Sequence, residues 1–243
     1  MKKILPFLFL ICLGLSAQAQ LNRTNVSLQV GYHGKLLNPR PLNAVIDSFN
    51  FYSDWEMDLA DVSSVTGFFA GVGLHPGRSH FRLDAMNYNA MVSASGMDDM
   101  GVEQRRDLSL QGWRFSLGFT SELIRFYDEG HFCVGASFNV NYLNITSTQK
   151  PAAEFMEGEV LDPALTSIKP SFTVHTPFRF GIGPQVKISL EPYYQIYFGP
   201  TDFGQVNEAL NPQTFQNTPI SVREGDLDHL GLNAAVIVFL IPR

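Results

Sequence analysis

The sequence predicts an all-β chain: eight antiparallel strands in up-and-down order, closed into a transmembrane β-barrel. Three observations predict it. Apolar residues recur at every second position in one segment after another. The candidate strands run to about 9–13 residues, beyond the ~5–6 usual in soluble sheets and suited to a tilted crossing of a bilayer. The connections alternate long and short, as they do when loops gather at one face of a membrane and turns at the other.

Composition sets the bounds. The chain has 243 residues, is 45% hydrophobic and only 16% charged, so it has ample material for a folded domain and does not read as disordered. A formal charge of −6 argues against a nucleic-acid partner, because an acidic chain cannot release counterions from phosphate. The start, Met1-Lys2-Lys3, is basic; residues 4–15 are apolar; Ala17-Gln18-Ala19 is a small-x-small cleavage site. Residues 1–19 therefore read as a signal peptide cleaved after Ala19, and 20–243 as the barrel domain. Bulky Ile11 before Cys12 counts against a lipid anchor there. The exported chain keeps Cys133 as its one thiol, which excludes an internal disulfide. Its longest apolar run, residues 234–241, is too short for a spanning helix.

The strands follow in order. Val26, Leu28, Val30 and Tyr32 share one face of the first, opposite Ser27, Gln29, Gly31 and His33. Alternation is weaker over residues 66–74 and slips near Asn87 in residues 81–92, which suggests a bulge. Trp113, Phe115, Leu117 and Phe119 oppose Arg114, Ser116 and Gly118; in residues 132–142 the polar row is Cys133, Gly135, Ser137, Asn139 and Asn141. The sixth and seventh strands, 172–180 and 186–196, contain Pro177 and Pro192, each lacking a ladder donor, and bulges are expected there. Leu230, Leu232, Ala234, Val236, Val238 and Leu240 form the outer row of the eighth. Long connections fall at 35–64, 93–107, 148–170 and 199–228, short ones at 75–79, 122–130 and 183–185. Tyr32, Trp113, Tyr142, Tyr194 and Phe198 are candidates for interfacial girdles.

Candidate chemistry lies on the polar face and in the loops. Arg82, Asp84, Arg114, Arg179, Lys187 and Glu191 would face the lumen of a tube that eight strands leave full of side chains. Two readings stand: a paired salt-bridge ladder, since buried charges need partners, or a narrow gated pore in which the arginine excess favours anions. His75, His80 and His131 all fall beside short turns, but no metal-binding spacing supports a zinc site. Ser171 and His175 lie four apart on the polar face, a weak basis for nucleophilic catalysis. Neither a catalytic set, a metal nor a cofactor is expected. The long loops hold 18 of the 23 acidic residues against seven basic ones, so the loop end is net −11. That is a solvated surface or a site for a cationic partner. In the first loop Leu42, Val45, Ile46 and Phe49 recur at helical spacing after Pro41, predicting a short amphipathic helix whose apolar stripe caps the barrel mouth, lies in the lipid interface or docks a partner, the cap being the favoured reading. Val206 and Leu210, before Pro212, suggest a second such helix.

The leader, the eight alternating strands and the alternating connections resemble the small outer-membrane β-barrels of the OmpA/OmpX/OmpW/PorT type. His229-Leu-Gly-Leu-Asn-Ala-Ala-Val236 is similar to the assembly signal in the last strand of such barrels, whereas Pro242-Arg243 stands where many relatives end in an aromatic residue. The resemblance implies residence in the outer membrane, with outer-membrane lipid and lipopolysaccharide around the barrel and the barrel assembly machinery as a partner in biogenesis. It implies a structural or surface-interaction role without an enzymatic motif. The alternatives are a gated channel for a small or hydrophobic solute, a lipid-modifying enzyme, and a soluble periplasmic lipid-binding barrel with its apolar side chains turned inward.

Overall fold

The computed structural model describes residues 24–36, 39–52, 58–97, 101–126, 130–151, 159–210 and 224–240. The expected leader, residues 1–19, and the terminal Pro242-Arg243 lie outside these residues. In chain order the elements are β1 (Thr24–Leu36), α1 (Arg40–Tyr52), β2 (Ser64–Pro76), β3 (Ser79–Met97), β4 (Glu103–Phe126) and β5 (Gly130–Pro151). There follow β6 (Glu159–His175), β7 (Phe178–Gly181), β8 (Val186–Tyr197), β9 (Thr201–Asp202), α2 (Gly204–Leu210), β10 (Glu224–Gly225) and β11 (His229–Phe239). Every pairing is antiparallel, and β1 joins β11 while β11 joins β8, so the sheet closes on itself.

The barrel has eight staves, of which the sixth is split into β6 and β7. Pro177 sits at the split. The cause is local: Pro177 has no N–H, and the chain rejoins the wall only at Phe178, opposite Leu190 of β8. Thr176 N donates to Pro192 O across the gap at 3.0 Å. Pro192 itself makes no bulge. It stays in regular β8, opposite Leu232 of β11. Its absent N–H points, like its carbonyl, toward the split, so the β11 side of the ladder loses nothing.

Two further sequence expectations are corrected. Asn87 marks no inserted residue, because Phe69 faces Met86 and Thr66 faces Asn89 in one unbroken register. The second and third long connections are mostly strand: β3 runs on to Met97, β4 starts at Glu103, and β5 and β6 extend to Pro151 and from Glu159.

A single physical change explains both. In the lower part of the barrel, apolar residues point out and polar residues in; in the upper part the phase inverts. Along β4, Phe115, Leu117 and Trp113 are exposed, whereas Leu108 and Leu110, two turns of the pleat higher, are buried. Along β5, exposed Phe138, Val140 and Tyr142 give way to buried Leu143 and Ile145. In β3, exposed Leu83 gives way to buried Met86 and Tyr88, so the slip at Asn87 is the inversion itself. Because side chains alternate with period two, exchanging odd for even apolar positions moves the apolar row to the other face without moving the backbone.

The inverted end is filled by the helices. Leu42, Val45, Ile46 and Phe49 of α1, with Phe203, Val206 and Leu210 in and beside α2, join Leu59, Val62, Leu108, Leu110, Leu143 and Ile145 in one apolar core. Side chains of α1 hold the segment that follows: Asn50 exchanges two 2.9 Å hydrogen bonds with the backbone of Leu59, and Val62 N donates to Asn43 Oδ1 at 3.1 Å. Asp202 Oδ1 accepts from Gly204 N at 2.7 Å, capping α2. Of the described helices none is long and apolar enough to cross a membrane.

Candidate functional site

Below the apolar head the lumen is packed with polar side chains in three tiers. The middle tier holds Arg82, Asp84 and Glu191, each no more than 7% exposed. Arg82 grips Glu191 with both terminal nitrogens, one at 2.6 Å, and its Nε lies 3.0 Å from Asp84. Asn233 Nδ2 donates to Glu191 at 2.8 Å, and Gln29 donates to Asp84. The forked guanidinium suits two carboxylates at once, and the amides occupy the lone pairs left over.

The upper tier is uncharged except for one guanidinium. Arg114 Nη1 donates to Gln195 Oε1 at 2.7 Å and stacks 5.2 Å from the Tyr193 ring. Gln195 Nε2 in turn donates to Asn141 Oδ1 at 3.0 Å and Ser171 Oγ at 2.8 Å, while Asn139 and Asn141 donate to the same hydroxyl at 3.1 and 2.9 Å. Ser171 is thus held by amides. His175 Nε2 lies instead 3.1 Å from Thr120 Oγ1, so the two residues weighed as a catalytic pair are not brought together.

The lower tier closes the end with the short turns. Lys187 Nζ donates to His131 Nε2 at 2.7 Å, and His131 Nδ1 donates to Glu122 at 2.7 Å. Since arginine can only donate, the 2.6 Å contact from Arg179 Nη2 makes His80 Nδ1 an acceptor. His80 stacks on His75, with ring centroids 4.0 Å apart and planes within 8°. His131 lines the same small cavity as the other two. Among the described residues no group of three or more His, Cys, Asp or Glu is placed to hold a metal.

The six charges expected to form one ladder thus fall into separate clusters, and Arg114 meets an amide and a ring in place of a carboxylate. The partners that sequence reasoning missed are Gln29, Gln195, Asn233, Glu122 and His131. Gln29, Gln195 and Asn233 all lie on the inward phase of a strand, which was readable. Lys35, counted with the first loop, is only 1% exposed and sets its ammonium 3.7 Å from the Tyr88 ring centroid. Arg106 also turns inward, to Ser147 Oγ at 3.2 Å and beside the Phe49 ring. The acidic rim of the head is thereby left with fewer cations than the loop count suggested.

What decides the setting of this tube is its outer wall. Leu28, Val30, Val72, Leu83, Phe115, Leu117, Phe138, Val140, Ile188, Leu190, Val236 and Val238 are all exposed around its lower part, over a lumen of buried charge. A soluble lipid-binding barrel has the opposite arrangement, and a continuous apolar belt of this extent belongs in hydrocarbon. The fold is that of a small outer-membrane β-barrel. Tyr32, Trp113, Tyr142, Tyr194 and Phe198 are exposed, available to the interfaces of such a barrel.

Among solved structures, this outer-membrane barrel is similar to the Neisserial surface protein A (NspA), at 11% identity and a TM-score of 0.46 over 88% of this chain and 96% of that one. It is also similar to Ail, the attachment invasion locus protein of Yersinia pestis, at 9% identity and a TM-score of 0.39 over 89% and 97%. For the outer membrane protease OmpT of Escherichia coli the identity is 10% and the TM-score 0.34, over 89% and 96%. No family model matches the chain, and no curated protein does.

Proposed function

We propose that this barrel is a membrane-anchored support for an acidic surface head, and that the head binds a cationic partner outside the cell. The observation that carries the reading is the filling of the tube. Three tiers of bonded side chains occupy the lumen, and an apolar core stiffened by α1 and α2 lies over them. A tube so filled serves as a pedestal. What it presents is charge: Asp47, Asp58, Asp61, Glu103, Asp202, Glu208, Glu224 and Asp226 are all exposed on the head, while Lys35 and Arg106 are withdrawn into it. Clustered like charge on a rigid surface attracts opposite charge over about a Debye length, ~8 Å at physiological salt.

The test is binding of a fluorescent oligolysine to the barrel in zwitterionic vesicles. Binding should weaken steeply as salt rises, and should fall several-fold when Asp58, Asp61, Glu224 and Asp226 are changed to Asn or Gln. Equal binding by the neutralised variant overturns the reading.

A further inference from the structure

The wall of the barrel is not smooth where β2 meets β3. At the inversion, Phe68 N donates to the side chain of Asn87 (Oδ1, 2.9 Å) in place of a backbone carbonyl, and the Asn87 carbonyl meets His33 Nε2 at 2.6 Å. The strands pass so closely here that a Cβ on Gly67 would lie 2.0 Å from the Asn87 oxygen. Beside this gap an apolar groove of about 590 Å³ opens on the lipid side, lined by Val30, Phe68, Ala70, Ala85 and Trp113. The two alanines make its floor low, and Trp113 and Phe68 wall it.

A second groove, of about 480 Å³, shares Asn87 and Trp113 with the first and runs over the other side of the inversion. Its lining is of another kind: Asn89, Gln111, Asn144 and Tyr142. The pair lies across the edge of the belt, apolar on the hydrocarbon side and amide-lined on the side of the head. Each volume is in the range of ligand sites, roughly 300–1,000 Å³.

We propose that the two grooves bind one lipid of the outer leaflet, with an acyl chain in the first and an uncharged, hydroxyl-rich sugar headgroup in the second. The chemistry of the lining selects the headgroup. A phosphate headgroup calls for arginine or lysine, and neither groove has a cation; Arg105, higher on the same face of β4, is taken by Asp107 at 2.7 Å. Amides carry both donors and acceptors and match hydroxyls, which do the same. Asn144 Oδ1 and Gln111 Nε2 are occupied by Thr166 and Ser109, leaving Asn144 Nδ2 and Gln111 Oε1 for a ligand. Asn87 contributes a further donor. Its Nδ2 has no partner among the described residues, although it stands where the groove enters hydrocarbon, and an amide N–H there is costly to leave unbonded. The site goes beyond the surface-head reading and does not depend on it.

Trp113 lines both grooves and reports occupancy. The chain has two tryptophans, so Trp55→Phe leaves Trp113 alone. That variant is placed in nanodiscs of brominated phosphatidylcholine, whose bromines quench the indole, and titrated with unbrominated lipids of matched chains. An unphosphorylated, acylated glucosamine disaccharide should restore the fluorescence at a mole fraction about tenfold below that needed with phosphatidylethanolamine, the worth of one to two net hydrogen bonds. Gln111→Leu with Asn144→Leu should abolish the preference while the groove still fills. Ala70→Leu with Ala85→Leu should leave both lipids diluting the quencher alike. A heat-dependent mobility shift on gels checks that each variant is folded. Relief in simple proportion to mole fraction for both lipids in the parent protein overturns the proposal, as does a preference unchanged by the amide replacements.

Discussion

Arg82 shows what the lumen demands of a single residue. Its guanidinium is buried with Glu191 on one side and Asp84 on the other, and removing one member of such a set strands a charge. Glu191→Met is therefore expected to cost about 3–5 kcal/mol, read from urea unfolding in lipid vesicles, whereas replacing Arg82 and Glu191 together should cost less than the sum. An additive result would mean that the two side chains do not act as a pair. Arg114 makes a different case, because its partners are neutral. Arg114→Leu leaves the Gln195 oxygen unbonded, at about 1–3 kcal/mol, against less than about 1 kcal/mol for Arg105→Leu, whose guanidinium is exposed and whose partner Asp107 keeps the Ser93 hydroxyl. Equal losses from the two would contradict the placement of Arg114 inside the tube. All six charged positions were legible as one face of alternating strands. Their partners were not, because a glutamine or asparagine on a polar face looks the same in sequence whether it meets water or a buried ion.

Among the elements, α1 was the most legible. Leu42, Val45, Ile46 and Phe49 recur with the helical period, and all four are buried in the head. That helix contributes by packing. Its 13 residues are too few to be stable alone in water, so what holds it is the burial of its apolar stripe in the core that also contains Leu108 and Leu143. Ile46→Ala should cost about 2–5 kcal/mol and release the head first, seen as new proteolytic cleavage near α1 while the heat-dependent gel shift of the barrel persists. Loss of both together would show that head and barrel fold as one unit. The strands β3 to β6 were read as too short for an equally physical reason. Alternation identifies a strand only while its phase holds, and at Leu110–Trp113 or Tyr142–Leu143 the phase reverses. Read as a break, the reversal moved the upper strands into loops. Gly112 shows how closely the reversed rows fit: a Cβ there would lie 2.3 Å from the Tyr88 ring.

Taken as a whole, the molecule stacks two solvent environments in one tube: a polar interior under an apolar wall, then an apolar interior under a polar wall. Membrane and water each meet the face that suits them. With the lumen filled along three tiers, the barrel in a planar bilayer is expected to pass no steady current. Removal of α1, residues 40–52, opens the head but leaves the Arg82 and Arg114 tiers in place, so it should not create a channel by itself. Well-resolved unitary currents from the intact protein would instead favour the gated passage that the arginine-rich polar face first suggested.

The reversal of phase also acts as a waterline. Consider a strand pushed too deep: Gln111, Ser109 and Asp107 would be drawn into hydrocarbon. Raised too high, it would lift Phe115 and Leu117 into water. Either displacement is opposed on several staves at once, because β3, β4 and β5 change phase at neighbouring rungs. The draught of the barrel is thus written into the odd–even order of its residues, with no need for a charged anchor. A bilayer made thicker or thinner should bend to meet this line before the protein shifts along it.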